Sequence, residues 1–307
     1  MKIKFICTMV IIGLLICPLQ VAAQSAGTPV ALLSELEQVL YGQVQSDALI
    51  TRVERIETEI FGKPQSGPVM TRIDRIDEFL AGSKEGSGLK LQLNLIEWIF
   101  LAKLTSGEPL MKRLERIETE FYGRIQSGSL VERIRNLMLN VWGSTNLDTA
   151  PVDVPAETLV EIQLLTDVDS AKSKVGDSVE YQVASNVEID GRIVIPKGTR
   201  GVGKVTEVTK AGSLGKNGRV VIDFGSISAF DGTTIRLRIS EKATEENRRL
   251  ELAAGASMAG VILLGPVGLV GGYFVKGEDV QIQAGAKFFV ETEKTTQTLG
   301  VRLVPVK

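Results

Sequence analysis

Arginines in pairs, three positions apart, are the side chains whose type and spacing suggest chemistry most strongly: Arg52 with Arg55, Arg72 with Arg75, and Arg113 with Arg116. A guanidinium offers a planar fork of donors that matches phosphate and carboxylate oxygens. A row of such forks could hold an anionic polymer. The same arginines alternate with Glu54, Glu57, Asp74, Asp77, Glu115 and Glu118. That interleaving favours the plainer reading, a solvated face on which each arginine pairs with a neighbouring acid.

Other chemistries are excluded by residue type. Histidine is absent, which removes Ser-His-Asp triads, Cys-His dyads and His-ligated zinc. The two cysteines, Cys7 and Cys17, both lie near the N-terminus. With 35 Lys+Arg against 37 Asp+Glu there is no bulk basicity to coat a nucleic acid, and no nucleic-acid partner is expected. Gly212 to Asn217 is not a phosphate loop, because Lys210 stands where its first glycine belongs and Asn217 follows Lys216. Asp167 and Asp169 lack the remaining ligands of a calcium loop. A Ser-Lys or paired-carboxylate enzyme needs neither His nor Cys, but no constellation points to one. The reading is therefore non-enzymatic, with no catalytic, cofactor or metal-binding residue assigned.

Residues 1–23 read as a secretory leader. Lys2 and Lys4 precede an apolar core from Phe5 to Ile16, and Val21-Ala22-Ala23 offers small residues for cleavage after Ala23. Ile16 before Cys17 is too large for a lipidation box. Cleavage would remove both thiols, leaving an exported chain without disulfides.

The arginine pairs belong to a repeat spanning 30–143. Six copies end at Tyr41-Gly42, Phe61-Gly62, Ala81-Gly82, Leu101-Ala102, Tyr122-Gly123 and Trp142-Gly143, about twenty residues apart. Apolar residues recur at 4-3-4 spacing, as in Val69, Ile73, Ile76 and Leu80, so each copy predicts one amphipathic helix. Ion pairs four apart along the helix are expected for Arg55 with Glu59 and Arg116 with Glu120. Pro68 and Pro109 suit helix starts, and Ser129 with Glu132 has capping-box spacing. So short a helix is marginal alone. Its stripe must be buried by neighbouring copies, as a hairpin stack or small solenoid, or by another chain. The fourth copy, Leu91 to Leu101 with Trp98, is apolar nearly all round, which predicts a central helix or one touching a partner. The repeat resembles those of exported proteins in several bacterial groups.

Residues 144–159, with Pro151 and Pro155, read as a linker. Residues 160–307 alternate in short runs such as Val160 to Leu164, Val179 to Val183 and Ile235 to Ile239. Turn pairs fall between them, including Asp190-Gly191 and Asp231-Gly232. Together the two regions predict an α+β multidomain chain, N-terminal helical repeats followed by an antiparallel β-barrel or sandwich. Ile195-Pro196-Lys197-Gly198-Thr199 has an echo in Ile282-Gln283-Ala284-Gly285-Ala286, suggesting a returning part of the same barrel. On Gly191 to Thr199, the strand near Gly203, Gly218-Arg219-Val220 and Asp231-Gly232, this domain resembles the β-barrel domain of VirB10/TrbI-type secretion-channel proteins. That resemblance implies a fold through its turn residues rather than an activity.

Residues 252–275 carry no charge and include Gly260, Gly265, Pro266 and Gly268. The length could cross a bilayer, but the Gly265-Pro266 break favours a hairpin that contacts a membrane or a partner. A buried element on the barrel and a straight span are the other two readings.

The sequence thus points to a non-catalytic, exported, periplasmic or envelope-associated scaffold. Its expected contacts are self-association or an envelope protein partner, with membrane contact through 252–275. A binding module for an anionic wall polymer or polysaccharide is the alternative, and a carboxylate-based envelope hydrolase the third reading. Candidate interaction residues are the six paired arginines, Trp98, Gly260, Gly265, Pro266 and Gly268.

Overall fold

The structure is a computed structural model that describes residues 27–83, 86–213, 216–254 and 279–303. The leader expected at 1–23 lies outside the described residues, as do Gly260, Gly265, Pro266 and Gly268 of the apolar segment.

Each repeat forms one helix: α1 (Pro29–Tyr41), α2 (Leu49–Phe61), α3 (Val69–Ala81), α4 (Leu89–Leu101), α5 (Leu110–Tyr122) and α6 (Leu130–Val141). The 4-3-4 residues face inward, and Val53, Ile56, Ile60, Ile76, Leu93, Leu114 and Ile134 are fully buried in one core. Ser129 and Glu132 close a reciprocal capping box at the start of α6. Pro68 and Pro109 sit one position before their helices, as N-caps. Gly42, Gly62 and Gly123 end their helices left-handed, a conformation glycine adopts without penalty.

These helices make a closed bundle, not the solenoid or hairpin stack that the periodicity suggested. α1 packs on α3 and α5, α2 packs on α6, and α4 packs on α3, α5 and α6. In a solenoid each unit touches only its neighbours. Here α4, apolar on most sides, is shared by α3, α5 and α6, and repeats distant in sequence meet, α1 with α5 and α2 with α6. Most of each stripe is consumed inside the chain, although Phe100 of the fourth copy stays exposed.

Between α3 and α4 lies a small hairpin of β1 (Gly82–Ser83) and β2 (Gly86–Ser87). The second module holds β3 (Asp148–Val154), β4 (Leu159–Leu164), β5 (Val168–Asp169), β6 (Ser178–Val183), β7 (Val187–Ile189), β8 (Arg192–Ile195), β9 (Arg200–Thr209), β10 (Arg219–Asp223), β11 (Ser226–Ser228) and β12 (Thr234–Arg238). It continues with α7 (Glu241–Ala254), β13 (Gln281–Ile282), β14 (Lys287–Thr292) and β15 (Thr296–Arg302). The strands pair antiparallel in the orders β10-β9-β6-β4-β14-β12-β11, β3-β15-β8-β7 and β13-β5. They curl as a half-barrel round one core, in which Tyr181, Phe224 and Phe288 stack edge to face or tilted. The chain is α+β and multidomain.

The expected linker is corrected. Residues 148–154 are β3, hydrogen-bonded along β15 from Asp148 to Val154, and β4 begins at Leu159. Pro151 did not prevent this because β3 is an edge strand, where a missing N–H costs no ladder bond. The last strand, β15, starts at Thr296. Helix α7 was not foreseen, and it runs into the first residues of the apolar segment.

The echo between Ile195 and Ile282 reflects a duplicated half-barrel. β6 and β9 correspond to β4 and β14, about an axis between β4 and β6. Val183 N donates to Thr199 O and Leu164 N to Ala286 O, both at 2.9 Å; Gly198 N donates to Val183 O and Gly285 N to Leu164 O, both at 2.8 Å. The turns that open β4 and β6 correspond as well, since Glu157 N reaches Thr292 O as Gly176 N reaches Val205 O. Gly176 has φ 95°, and its counterpart Glu157 has φ 63°. A side chain is strained there. Glu157→Gly is therefore expected to stabilise the protein by about 0.5–1 kcal/mol in chemical denaturation, whereas Gly176→Glu should destabilise it.

Candidate functional site

The arginines that could have held an anion already hold one. Arg52 donates through Nε and Nη2 to Glu37 at 2.9 and 2.8 Å, and Arg72 to Glu57 at 2.9 and 2.6 Å. Arg133 does the same to Glu118 at 3.0 and 2.7 Å, and Arg113 reaches Glu97 at 3.1 and 2.6 Å. In each case a glutamate in the last half of one helix receives the fork of the first arginine of the next. Each glutamate also accepts a backbone N–H from its own following turn, from Gln45, Gln65, Thr105 or Gln126, at 2.8–3.1 Å. All eight charged side chains are buried.

Each staple thus fixes three things at once: a helix end, the turn after it and the start of the next helix. Burying an ion pair is not in itself a large stabilisation, because two charges leave water. Removing one partner is costly, at about 3–5 kcal/mol, because the other is left buried and unpaired. Burial alone would raise the Glu57 carboxyl, but the hydrogen bonds from Arg72 and from Gln65 N–H outweigh it and hold the group below the usual carboxylate range. Glu97 is likewise lowered: burial opposes, and the charge of Arg113 with the two bonds from Thr105 prevails.

The solvated-face reading therefore holds for only part of the set. Arg52, Arg72 and Arg113 are inside. Arg55 is exposed and pairs with Asp47, Arg75 is half-buried, and Arg116 joins Glu97 at 2.6 Å and Glu108 at 2.7 Å. The pairs expected four apart are not formed among the described residues. Arg55 and Arg116 turn to acids in the preceding loop, and Glu59 lies 3.8 Å from Arg133. The third junction breaks the pattern: Asp77 and Gln92 replace glutamate and arginine, and Gln92 bonds to Ser87 O at 2.8 Å instead.

The fourth copy carries the join between the modules. Arg113 Nη2 donates to Asn94 Oδ1 at 2.6 Å, and Asn94 Nδ2 donates to the carbonyl of Phe230 at 2.7 Å. Phe230 N in turn donates to Val194 O at 2.8 Å. Trp98 Nε1 donates to Lys197 O at 2.8 Å, and its ring meets Phe230 edge-on with centroids 5.7 Å apart. Leu104, after α4, forms a parallel bridge to Thr199. Ile193, Phe230 and Val301 of the β-module join the core of the helical bundle. Helix α4 is thus both central and an interface helix, and its interface is internal. A cleft of about 530 Å³ opens beside it, lined by Lys90, Asn94, Glu108, Arg113, Gly232 and Thr234 among others.

Sequence reasoning missed Glu37, Glu57, Glu97 and Glu118 as the arginines' partners, together with Asn94 and Leu104. A signal was present: a glutamate precedes each first arginine by 15 or 16 positions and is lost only where the arginine is lost too. Among the described residues no cluster of three or more Asp, Glu, His or Cys could hold a metal ion, and no helix is long and apolar enough to cross a membrane.

No family model matches the chain, and no curated protein matches it. Among solved structures it is similar to ComB10 of the Com type IV secretion system of Helicobacter pylori. The TM-score is 0.28 and the identity 16%, over 47% of this chain and 88% of that one.

Proposed function

We propose that this protein is a non-catalytic scaffold of the cell envelope, a rigid two-module unit whose contribution is surface and shape. One observation carries the reading: the first arginine of each pair is committed to an internal staple, and the staple at Glu97–Arg113 continues through Asn94 into the β-module. Export is the part supported by the leader sequence, and the segment 252–275 is the proposed membrane or partner contact. The polymer-binding alternative loses Arg52, Arg72 and Arg113 as available forks and retains Arg55 and Arg75 at the surface.

Cell fractionation of the intact chain and of a variant lacking 252–275 tests this reading. The intact chain is expected in the envelope fraction, cut after Ala23, and the shortened chain in the soluble exported fraction. A chain retained in the cytosol with its leader uncut would overturn it, as would turnover of a wall substrate abolished by a single Asp or Glu change.

A further inference from the structure

The bond from each turn to its buried glutamate identifies equivalent positions in the repeats. Its donors are Gln45, Gln65, Thr105 and Gln126, so the residues just before them, Val44, Pro64, Leu104 and Ile125, correspond. Leu104 is fully buried against the β-module. Its N–H donates to Gly198 O and its carbonyl accepts from Arg200 N, both at 3.2 Å. Pro64 has no N–H to offer. Val44 and Ile125 are each 54% exposed, apolar residues on turns held by the same bond as the turn of Leu104.

The surface that receives Leu104 is duplicated as well. The turn from Pro196 to Thr199 and the turn from Gln283 to Ala286 share their bonds: Thr199 N donates to Pro196 O at 3.2 Å, and Ala286 N to Gln283 O at 3.1 Å. Gly198 and Gly285 sit at φ 83° and 96°. Pro196, Gly198 and Thr199 are buried, whereas Gln283, Ala284 and Gly285 are exposed. Lys287 stands where Arg200 does. The bonded register of β14 on β4 turns its N–H away from β4, the side on which Phe289 N meets Asn247 Oδ1. The exposed turn, whose Gly285 carbonyl also accepts from Gln163 Nε2 at 3.1 Å, lies beside acids. Asp167 accepts from Ala284 N at 2.7 Å, and Asp169, Asp177 and Lys172 line the adjoining cleft of about 350 Å³, where Lys172 lies 3.1 Å from Asp169 and leaves Asp167 and Asp177 as the excess charge. The exposed Arg124 precedes Ile125, whereas the neutral Gln43 precedes Val44.

We propose that the Ile125 turn of one copy docks on the Gln283–Ala286 turn of a second copy, as Leu104 docks on Thr199 within each chain. The plug and the socket lie on different modules, so the contact is heterologous and propagates head to tail. Arg124 opposite the Asp167 side sets its direction, and the union weakens with salt. This inference rests on the scaffold reading and supplies its partner.

The test uses the full chain with Cys7→Ser and Cys17→Ser, which leaves no other thiol. Under mild oxidation, Ile125→Cys with Ala286→Cys in one chain is expected to give a ladder of dimers and higher species. A mixture of the two single variants is expected to give dimers alone, and each single variant by itself none. Adding Arg124→Glu should cut the linked fraction several-fold at low salt. Linking no greater than that of Glu54→Cys with Ala286→Cys would overturn the proposal, and so would single variants that link to themselves. Thermal melts of the variants, expected to match the parent because Ile125 is exposed and cysteine is close in size to the partly buried Ala286, exclude misfolding as the cause. If the chain fails to link yet fractionates with the envelope, the docking fails and the scaffold reading stands.

Discussion

Glu97→Ala is expected to be the most damaging single change among the repeat carboxylates. Glu97 is fully buried and accepts from Arg113, Arg116, the backbone N–H of Thr105 and its hydroxyl. Alanine leaves the Arg113 guanidinium buried without its anion, at a cost of about 3–5 kcal/mol. Loosening Arg113 also frees Asn94, so the damage extends to the module junction. Urea denaturation measures the loss, with Glu37→Ala, whose fork comes from Arg52 alone, as the smaller comparison.

The same staples set an acid limit. The carboxyls of Glu57 and Glu97 lie below their usual range in the folded chain. The unfolded chain then binds protons more readily than the folded one. The stabilisation is fully present above the ordinary glutamate pKa, about 4.3, and is lost as pH falls through the lowered folded values. Melting temperature should therefore hold down to about pH 5 and fall below pH 4. With Glu57→Gln and Glu97→Gln the starting stability is lower and the acid slope shallower.

Phe230→Ala is expected to have the second largest effect, about 3–5 kcal/mol, because a fully buried ring is replaced by a cavity between two cores. The effect differs in kind from a bundle mutation. Phe230 meets Trp98, accepts from Asn94 through its carbonyl and reaches Val194 through its N–H. Loss of the ring removes the Trp98 contact and the packing between the modules, while the backbone bonds to Asn94 and Val194 and the staples at Glu57 and Glu118 remain. Calorimetry should show one transition in the parent and two in the variant, the bundle and the half-barrel melting apart.

Much of this architecture was legible. The 4-3-4 spacing placed six helices, because a stripe that must be buried fixes both period and length. Alternation placed most strands, and Asp190-Gly191 marked the hairpin between β7 and β8, with φ 52° and 71° at its centre. The closure of the bundle was not legible, since periodicity shows which face is buried and not which helix covers it. β3 was hidden by Pro151, whose meaning depends on being at a sheet edge. The destination of the arginines was hidden by distance. Local spacing offered acids three or four positions away, while the true partner of Arg72 is Glu57, fifteen positions back and already anchored by the N–H of Gln65. Asn94 gave no signal of its own, as one polar residue in an apolar helix reads equally well as a surface position.

A double-mutant cycle on Glu57 and Arg72 probes most directly whether the repeat arginines serve the fold. Glu57→Gln, Arg72→Met and the pair together would be compared in equilibrium unfolding, alongside salt-dependent retention on anionic wall material. The staple account expects each single change to cost about 3 kcal/mol or more and a coupling above about 1.5 kcal/mol, with retention unchanged. Near-zero coupling, together with retention lost in Arg72→Met, would contradict it and return these side chains to an external ligand.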